Sequence, residues 1–241
     1  VGEDVRTGDT VLTAGRSLGA AQLGVAAAVG AGELRVHRAP RVLVLSTGSE
    51  LVAPGESLSP GQIYESNGVM LAAAVREAGA VARLLRFVPD DVAAFHAALA
   101  EHVDSTDLIL TSGGVSAGAY EVVKDALEGN GVEFRKVAMQ PGMPQGAGRY
   151  RSGPAVATLP GNPVSSMVSF EVFVRPALRA AAGHQRTHRP IRSARLTEAL
   201  RVPAGKRQYR RAWFDSDGLT VTPQGGPGSH LLSAMAGANC L

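Results

Sequence analysis

Three short stretches of the chain place glycines, hydroxyls and turn-forming residues directly after apolar runs. Residues 42–45 lead into Ser46-Thr47-Gly48-Ser49-Glu50, residues 108–110 into Thr111-Ser112-Gly113-Gly114-Val115-Ser116, and residues 155–159 into Pro160-Gly161-Asn162-Pro163. Where a strand ends in such a loop and a helix follows, backbone N–H groups and the helix dipole favour an anion. One such loop alone fits an ordinary strand-to-helix turn equally well. Three together predict a phosphate-bearing ligand at the carboxyl edge of an α/β sheet.

The elements that would position these loops alternate between apolar strands and amphipathic helices. Strands are predicted near residues 42–46, 81–87, 108–111, 132–137 and 155–159, and helices near 67–78, 91–102, 121–129 and 163–182. This alternation predicts a three-layer α/β/α domain with a largely parallel sheet. Asp90 and Asp91 stand where the N-cap of the second of these helices belongs.

The two flanks differ from this central pattern. A helix is predicted from an N-cap at Ser17 through Val29, and β-type alternation over residues 195–202, 207–214 and 219–223 predicts a small β domain. We therefore expect three regions: 1–40, a remnant of an N-terminal lobe with a long helix; 41–183, the α/β domain; and 184–241, the β domain. The sequence reads as a piece of a longer protein, since it begins at Val1 without a methionine.

The composition excludes several classes of protein. With 45% hydrophobic and 19% charged residues the chain is not of a disordered type, and its apolar runs are too short to span a membrane. The single cysteine, Cys240, excludes an internal disulfide and fits a reducing compartment. No secretion signal is recognisable, so a cytoplasmic protein is predicted.

Basic residues cluster in residues 186–211, with Glu198 as the only acid there. A block of basic residues of this kind can bind nucleic acid. It has few interleaved aromatic residues and it alternates with apolar ones, which favours a solvated strand face near an anionic small molecule over a nucleic-acid interface.

Four motifs in a fixed order carry a family resemblance. They are Ser46-Thr47-Gly48-Ser49-Glu50-Leu51, Gly61-Gln62-Ile63-Tyr64-Glu65-Ser66-Asn67, Thr111-Ser112-Gly113-Gly114-Val115-Ser116 and Leu159-Pro160-Gly161-Asn162-Pro163-Val164-Ser165. Together with residues 2–4, 12–24 and 228–230 they resemble the MoeA family of molybdopterin molybdenumtransferases, which is related to the C-terminal part of gephyrin. The resemblance covers essentially the whole chain, whereas the family's N-terminal region is missing from it.

The resemblance implies an enzyme of molybdenum cofactor biosynthesis. Such an enzyme receives adenylylated molybdopterin, uses molybdate as a substrate, releases AMP and depends on Mg²⁺, which prefers carboxylates and phosphate oxygens. It also implies a homodimer with sites built from both chains. Further partners implied by the resemblance are the adenylyltransferase that acts before this step and the molybdoenzyme apoproteins.

The resemblance also assigns roles to individual residues. Catalytic function is placed on Asp4, Glu50, Asp90 and Glu121, of which Glu50, Asp90 and Glu121 would hold the metal ion. The substrate and anion site would be formed by Thr47, Gly48, Ser112, Gly113, Gly114, Ser116, Lys136, Pro160, Gly161, Asn162, Pro163, Arg211 and Ser229.

Most of these residues also have a plain structural interpretation. Asp4 fits a surface turn, Asp90 a helix cap, and Glu121 a first-turn acid stabilised by the helix dipole. An exposed Lys136 or Arg211 fits a solvated charge. Glu50 is the strongest candidate, because an acid directly after Thr-Gly-Ser has little local structural purpose.

Two departures from the family pattern concern the anion site. The loop that commonly reads Lys-Pro-Gly-Lys-Pro is here Gln140-Pro141-Gly142-Met143-Pro144, so two cations are absent. The acid after the Gly-Gly loop is commonly Asp and is here Glu121, with Ala119 where another acid often lies. Two alternative functions therefore stay open: a non-catalytic molybdopterin-binding or scaffolding module, and a molybdopterin adenylyltransferase.

Overall fold

The computed structural model describes residues 3–48, 50–88, 91–113 and 121–241, with the backbone alone for 86–88 and 121. Its helices are α1 Ala20–Ala28, α2 Asn67–Glu77, α3 Val92–Ala100, α4 Glu121–Leu127, α5 Pro163–Ser169, α6 Arg175–Ala181 and α7 Leu232–Ala236. Its strands are β1 Arg41–Thr47, β2 Leu51–Val52, β3 Ile63–Tyr64, β4 Val81–Val88, β5 Leu108–Ser112, β6 Val132–Lys136, β7 Met139–Gln140, β8 Pro144–Arg149, β9 Ala155–Leu159, β10 Arg195–Leu196, β11 Arg207–Gln208, β12 Ala212–Asp215 and β13 Thr220–Pro223.

A six-stranded sheet with the order β4-β1-β5-β9-β8-β6 forms the centre of the molecule. Strands β4, β1, β5 and β9 are parallel, whereas β8 is antiparallel to both of its neighbours. Strand β6 therefore runs in the same direction as β9 and ends at the same edge. The predicted three-layer architecture is confirmed.

The sheet is buried on both faces, as the continuous apolar strands indicated. In β1, Val42 and Val44 pack on the side of α2, α5 and α6, while Leu43 and Leu45 pack on the side of α3 and α4. The helices that follow β1 and β5 thus lie on opposite faces of the sheet. Such a change of side opens a crevice between the carboxyl ends of the two strands.

Strand β8 was not predicted from the sequence. Its segment, Pro-Gln-Gly-Ala-Gly-Arg, has the glycines and proline that strands usually lack. A Cβ at Gly146 would lie 2.8 Å from the Phe134 ring, and one at Gly148 would lie 2.7 Å from the Val132 Cα. The glycines therefore permit β8 to approach β6 closely. The packing of β8 against β6 outweighs the weak strand propensity of its sequence.

The helix ends differ in detail from the predictions. Helix α1 begins after an N-cap at Gly19 rather than at Ser17. Helix α3 is capped by Asp91, whose Oδ1 accepts a hydrogen bond of 2.7 Å from the Ala94 amide. The predicted helix over residues 163–182 is confirmed as α5 and α6 joined by a π-helical turn at Phe170–Val174. Pro176 follows this turn and has no N–H to donate.

The C-terminal strands are shorter than predicted. Strands β10, β13 and β12 form a small sheet, but the predicted strand over residues 207–214 is divided. Its first part, β11, pairs with β7, and its second part, β12, pairs with β13. Between them Tyr209 packs against a cluster that contains Met139 and Val164. Packing onto the α/β region therefore prevents one continuous strand from forming, and the domain boundaries at 40 and 183 stay a proposal.

None of the helices in the described part of the chain has the length and apolarity that crossing a bilayer needs.

Candidate functional site

The three loops singled out in the sequence lie at one edge of the sheet. Ser46 on β1 is level with Ser112 on β5, and Ser112 is level with Leu159 on β9. Thr47, Gly113 and Pro160 therefore follow side by side where these parallel strands end. In the described part of the chain, the three strand ends therefore share one edge of the sheet, as the sequence predicted.

Two glycines allow the loops to approach one another closely. Gly113 has a φ of +91°, and a Cβ there would lie 3.1 Å from the Thr47 carbonyl oxygen. A Cβ at Gly161 would lie 3.3 Å from the Gly113 Cα. The backbones of all three loops thus meet without intervening side chains, which is the arrangement that exposes backbone groups to an anionic ligand.

Two buried hydroxyl groups lie at this edge. Thr47 is 5% exposed and Ser112 is 3% exposed. The Oγ1 of Thr47 and the Oγ of Ser112 have no hydrogen-bond partner among the described residues. Buried polar groups are nearly always paired, so two such hydroxyls at the ends of adjacent strands are candidate donors to a ligand.

Glu50 lies just after the carboxyl end of β1. The Leu51 amide donates to the Gly48 carbonyl over 3.2 Å, which closes a turn around residue 50. The half-buried Glu50 carboxylate lies over Gly48, where a Cβ would come within 2.7 Å of its Oε2. The turn therefore holds a carboxylate at the edge that carries the unpaired hydroxyls.

Glu65 is a second carboxylate beside this edge. It was part of a quoted motif but was not a predicted site residue. It is 1% exposed, and its Oε1 accepts from the Ser46 Oγ over 2.9 Å and from the Gly68 amide over 2.5 Å. Its Oε2 has no partner among the described residues. Ser66, the N-cap of α2, makes no capping hydrogen bond with its side chain. The Glu65 carboxylate accepts from the first turn of α2 instead, and it also connects this helix to β1.

Replacing Glu65 with alanine is expected to lower the free energy of unfolding by about 2 kcal/mol, because the Ser46 hydroxyl and the Gly68 amide lose their acceptor. Glu65→Gln should retain most of the stability, since the amide oxygen still accepts both bonds. Thermal denaturation measures both effects. The exposed Glu56 side chain makes no hydrogen bond or ion pair with the described residues, so Glu56→Ala is the control and should change stability by less than about 0.5 kcal/mol. Equal stabilities of Glu65→Ala and Glu56→Ala would contradict the structural role of Glu65 as the acceptor for Ser46 and Gly68.

Asn67 connects the same helix to the third loop. Its Nδ2 donates to the Gly161 carbonyl over 2.6 Å, and its buried Oδ1 has no partner among the described residues. Asn67 was part of a quoted motif but was not a predicted site residue. Its contact with Gly161 could not be read from the sequence, because the two residues are far apart in the chain.

The C-terminal tail docks on the third loop. The Asn162 Nδ2 donates to the Ser229 Oγ over 2.9 Å, and the Val164 amide donates to the Ser229 carbonyl over 3.0 Å. Pro163 is the first residue of α5, where its missing N–H costs nothing. The structure thus brings Ser229 to Pro160-Gly161-Asn162-Pro163, as the predicted site requires.

Arg211 holds this tail in place. Arg211 is 3% exposed, and its guanidinium donates to the carbonyls of Gly226 and Gly228. Burial, with a smaller contribution from the nearby charge of Arg210, lowers the pKa of Arg211. In the structure Arg211 therefore positions the segment that carries Ser229. Its predicted contact with an anion stays a prediction.

Lys136 and the loop after it lie at the same edge. Lys136 is the exposed last residue of β6 and pairs with Pro144 at the start of β8. The loop between them is joined to the C-terminal region, because the Gln208 Nε2 donates to the Gln140 Oε1 over 3.0 Å. The Lys206 Nζ lies 3.7 Å from the Met143 Sδ. A lysine that the sequence did not single out thus stands beside a position where the family commonly has one.

The remaining predicted site residues are Asp4, Asp90, Gly114, Ser116 and Glu121. Asp90, Gly114 and Ser116 lie outside the described residues, and Glu121 begins α4 with only its backbone described. Asp4 is exposed in the N-terminal segment. Among the side chains that the structure describes, no three acids, histidines or cysteines gather closely enough to bind a metal ion. The metal-binding roles therefore stay predictions.

Comparison with protein families gives two matches in consecutive parts of the chain. Residues 43–180 match a probable molybdopterin binding domain, and residues 193–241 match the MoeA C-terminal region, its domain IV. The first match contains all three strand-end loops, and the second contains Arg211 and Ser229.

Individual relatives agree with these matches. Molybdopterin molybdenumtransferase 2 from Mycobacterium tuberculosis is 58% identical over the whole chain, which covers 61% of that relative. The molybdopterin molybdenumtransferase of Haemophilus influenzae is 36% identical, also over the whole chain, which covers 60% of it. A MoeA protein structure from Pyrococcus horikoshii superposes with a TM-score of 0.79 and 31% identity over 95% of this chain and 56% of that chain. The chain thus spans about three fifths of the length of these relatives, and it belongs to the MoeA family.

Proposed function

We propose that the protein acts in molybdenum cofactor biosynthesis as a transferase that inserts molybdate into adenylylated molybdopterin and releases AMP. The observation that supports this most directly is the common edge formed by the ends of β1, β5 and β9. At this edge the hydroxyls of Thr47 and Ser112 have no hydrogen-bond partner in the part of the chain that the structure describes. Both substrates and AMP are anions that accept hydrogen bonds. The names of the relatives, which are molybdopterin molybdenumtransferases, support the same reaction.

In this proposal the described residues divide the work of binding. The hydroxyls of Thr47 and Ser112 donate to oxyanions in the crevice between β1 and β5. Asn67, Asn162 and Ser229 form the wall beside Gly161, where amide and hydroxyl groups orient the substrate. Positioned donors of this kind stabilise negative charge that develops as a phosphoanhydride bond is cleaved.

Cations near the edge offset the charge of the substrates. Lys136 ends β6 at this edge, and Lys206 lies beside Met143. Each is an exposed ammonium group, which attracts oxyanions over a distance set by the ionic strength. Lys206 thereby supplies part of the positive charge that is absent because Gln140 and Met143 stand where the family commonly has lysines.

The oxygen groups at the edge fit a divalent cation such as Mg²⁺. The Glu50 carboxylate and the unpaired hydroxyl oxygens of Thr47 and Ser112 are hard ligands of the type that Mg²⁺ prefers. We propose Glu50, together with Asp90 and Glu121, as the residues that hold it. When bound there, the ion would polarise the phosphoanhydride. Glu50 itself fixes negative charge at the point where the substrate phosphates enter.

The test is release of AMP from adenylylated molybdopterin by the 241-residue chain in the presence of Mg²⁺. We expect AMP to appear only when molybdate is added, as measured by chromatography of the nucleotide. Binding of the pterin without AMP release would indicate the non-catalytic alternative. Consumption of ATP with free molybdopterin would indicate the adenylyltransferase, which the match of residues 193–241 to a MoeA C-terminal region does not favour.

We further propose a cytoplasmic homodimer that receives its substrate from the adenylyltransferase and delivers its product to molybdoenzyme apoproteins. The exposed apolar side chains of Leu23 and Val29, in and just after α1, support a protein partner at that helix. The single cysteine fits a reducing compartment. Sedimentation equilibrium of the chain tests the dimer directly.

The lost loop lysines give a quantitative prediction. Gln140→Lys should tighten molybdate binding by about 0.5–1 kcal/mol, because it adds one partly exposed cation at the edge. The gain should shrink as salt rises, since the interaction is screened. Titration calorimetry at two ionic strengths measures both effects.

The control for this prediction is Gln62→Lys, which adds the same charge in a surface turn outside the loop at residues 137–143. Gln62 Oε1 accepts only from the Ser59 amide, in a surface turn. An equal gain in both variants would mean that net charge alone is responsible. No gain in Gln140→Lys would mean that the backbone pairing of β7 with β11 directs the side chain of residue 140 away from the anion.

A further inference from the structure

A cavity of about 650 Å³ lies at the opposite edge of the sheet from the three strand-end loops. Its walls are residues 12–18 and 34–37 of the N-terminal segment and residues 179 and 182–186 around the end of α6. His184 in this wall lies against Gly79, where a Cβ would be 3.4 Å from its Nε2. Gly79 lies two residues before the start of β4, so the cavity lies at the amino edge.

The lining is strongly cationic. Six basic side chains surround the cavity: Arg16, Arg35, His37, Arg179, His184 and Arg186. All the lining residues are in the described part of the chain, and none of them is an aspartate or glutamate. The four arginines make no ion pair with a described carboxylate, in contrast to Arg38 and Arg41, which both pair with Asp107. Their charge is therefore available to a ligand.

The wall formed by the end of α6 is held in a defined conformation. The Arg179 Nε donates to the Arg186 carbonyl over 3.0 Å, and the His184 amide donates to the Arg179 carbonyl over 2.9 Å. Gly183 has a φ of +82°, and a Cβ there would overlap the His37 imidazole. The two walls are thus fitted to each other, with the imidazole of one packed on the backbone of the other.

Two further features favour an organic anion over a bare ion. Ser17 and Leu18 line the cavity directly before α1, a nine-residue helix whose N-cap is a glycine and whose first turn has no acid. The positive end of the helix dipole is therefore not neutralised by a side chain. Leu12, Leu18, Leu34 and Val36 form an apolar part of the lining.

We propose that this cavity binds a small organic phosphate, with the phosphate among the arginines and the apolar part against Leu12, Leu18, Leu34 and Val36. The volume is within the range of small-molecule sites. Arginine is well suited to phosphate because its planar guanidinium donates two parallel hydrogen bonds. The site is separate from the strand-end edge, so its existence does not depend on the transferase activity.

Titration calorimetry of the 241-residue chain with 1-naphthyl phosphate and with inorganic phosphate tests the proposal. We expect saturable binding of 1-naphthyl phosphate that is about tenfold weaker in the double variant Arg16→Gln/Arg35→Gln, at about threefold for each exposed charge. Both side chains are exposed and make no recorded contact within the described chain, so the fold should be unaffected. Leu34→Ala should weaken binding of 1-naphthyl phosphate and leave that of phosphate unchanged.

The matched control is Arg195→Gln/Arg201→Gln, which removes two exposed arginines outside the cavity and should change affinity by less than about twofold. Equal losses in both double variants would overturn the proposal in favour of non-specific charge attraction. Binding that neither double variant weakens would place the ligand elsewhere, and absence of saturable binding at millimolar concentration would exclude a site. Tighter binding of hexaglutamate than of 1-naphthyl phosphate, lost in Arg16→Gln/Arg35→Gln, would overturn it in favour of an acidic protein segment.

Discussion

Replacing Glu50 with glutamine is expected to reduce molybdate-dependent AMP release by at least about 100-fold, which corresponds to about 2.7 kcal/mol of transition-state stabilisation. Glutamine has nearly the same shape, so the change removes little besides the negative charge. That charge lies over Gly48 at the end of β1, the edge that also carries the buried hydroxyls of Thr47 and Ser112. Rates of AMP release at saturating substrate measure the effect.

The control is Glu56→Gln, because Glu56 is an exposed acid close in sequence that makes no recorded side-chain contact. It should leave the rate within about twofold of the unchanged protein. The melting temperature of Glu50→Gln should also stay within about 2 °C, since the half-buried carboxylate loses only its charge. Turnover of Glu50→Gln equal to that of Glu56→Gln would show that the acid has no catalytic role.

The position of the strand-end loops could be predicted because it depends on short-range patterns. The apolar residues of β1 alternate between two buried faces, which requires a sheet covered on both sides. In a parallel sheet the carboxyl ends meet at one edge, so Thr47, Ser112 and Pro160 had to lie together. The order of the strands along the chain also favours the crevice between β1 and β5 as the place where a ligand binds.

The role of Glu65 could not be predicted, because it depends on a partner from another strand. An acid directly before a helix N-cap is usually a surface residue. Glu65 is instead a buried acceptor because it contacts Ser46. Arg211 is a similar case. Its sequence context suggests a free cation, whereas its guanidinium is occupied by the carbonyls of Gly226 and Gly228.

Helix α3 provides the second prediction with a large expected effect, because the sequence left open whether Asp90 or Asp91 caps this helix. Asp91 is the N-cap and accepts from the Ala94 amide. The capping function predicted for this position is thus supplied without Asp90. Asp90 is left with the metal-binding role that the family resemblance implies, and the two residues can be tested against each other.

Asp90→Asn should lower molybdate-dependent AMP release by about 100-fold and leave the melting temperature unchanged, because it removes a hard anionic ligand and no cap. Asp91→Ala should do the opposite. It should lower stability by about 1 kcal/mol, which is about 2–4 °C for a chain of this size, with AMP release unchanged. Raising the Mg²⁺ concentration should partly restore the activity of Asp90→Asn, since a weakened metal site is refilled by mass action. Normal activity of Asp90→Asn at low Mg²⁺ would remove Asp90 from the metal site, and a fall in its melting temperature would show that it contributes to the start of α3 alongside Asp91.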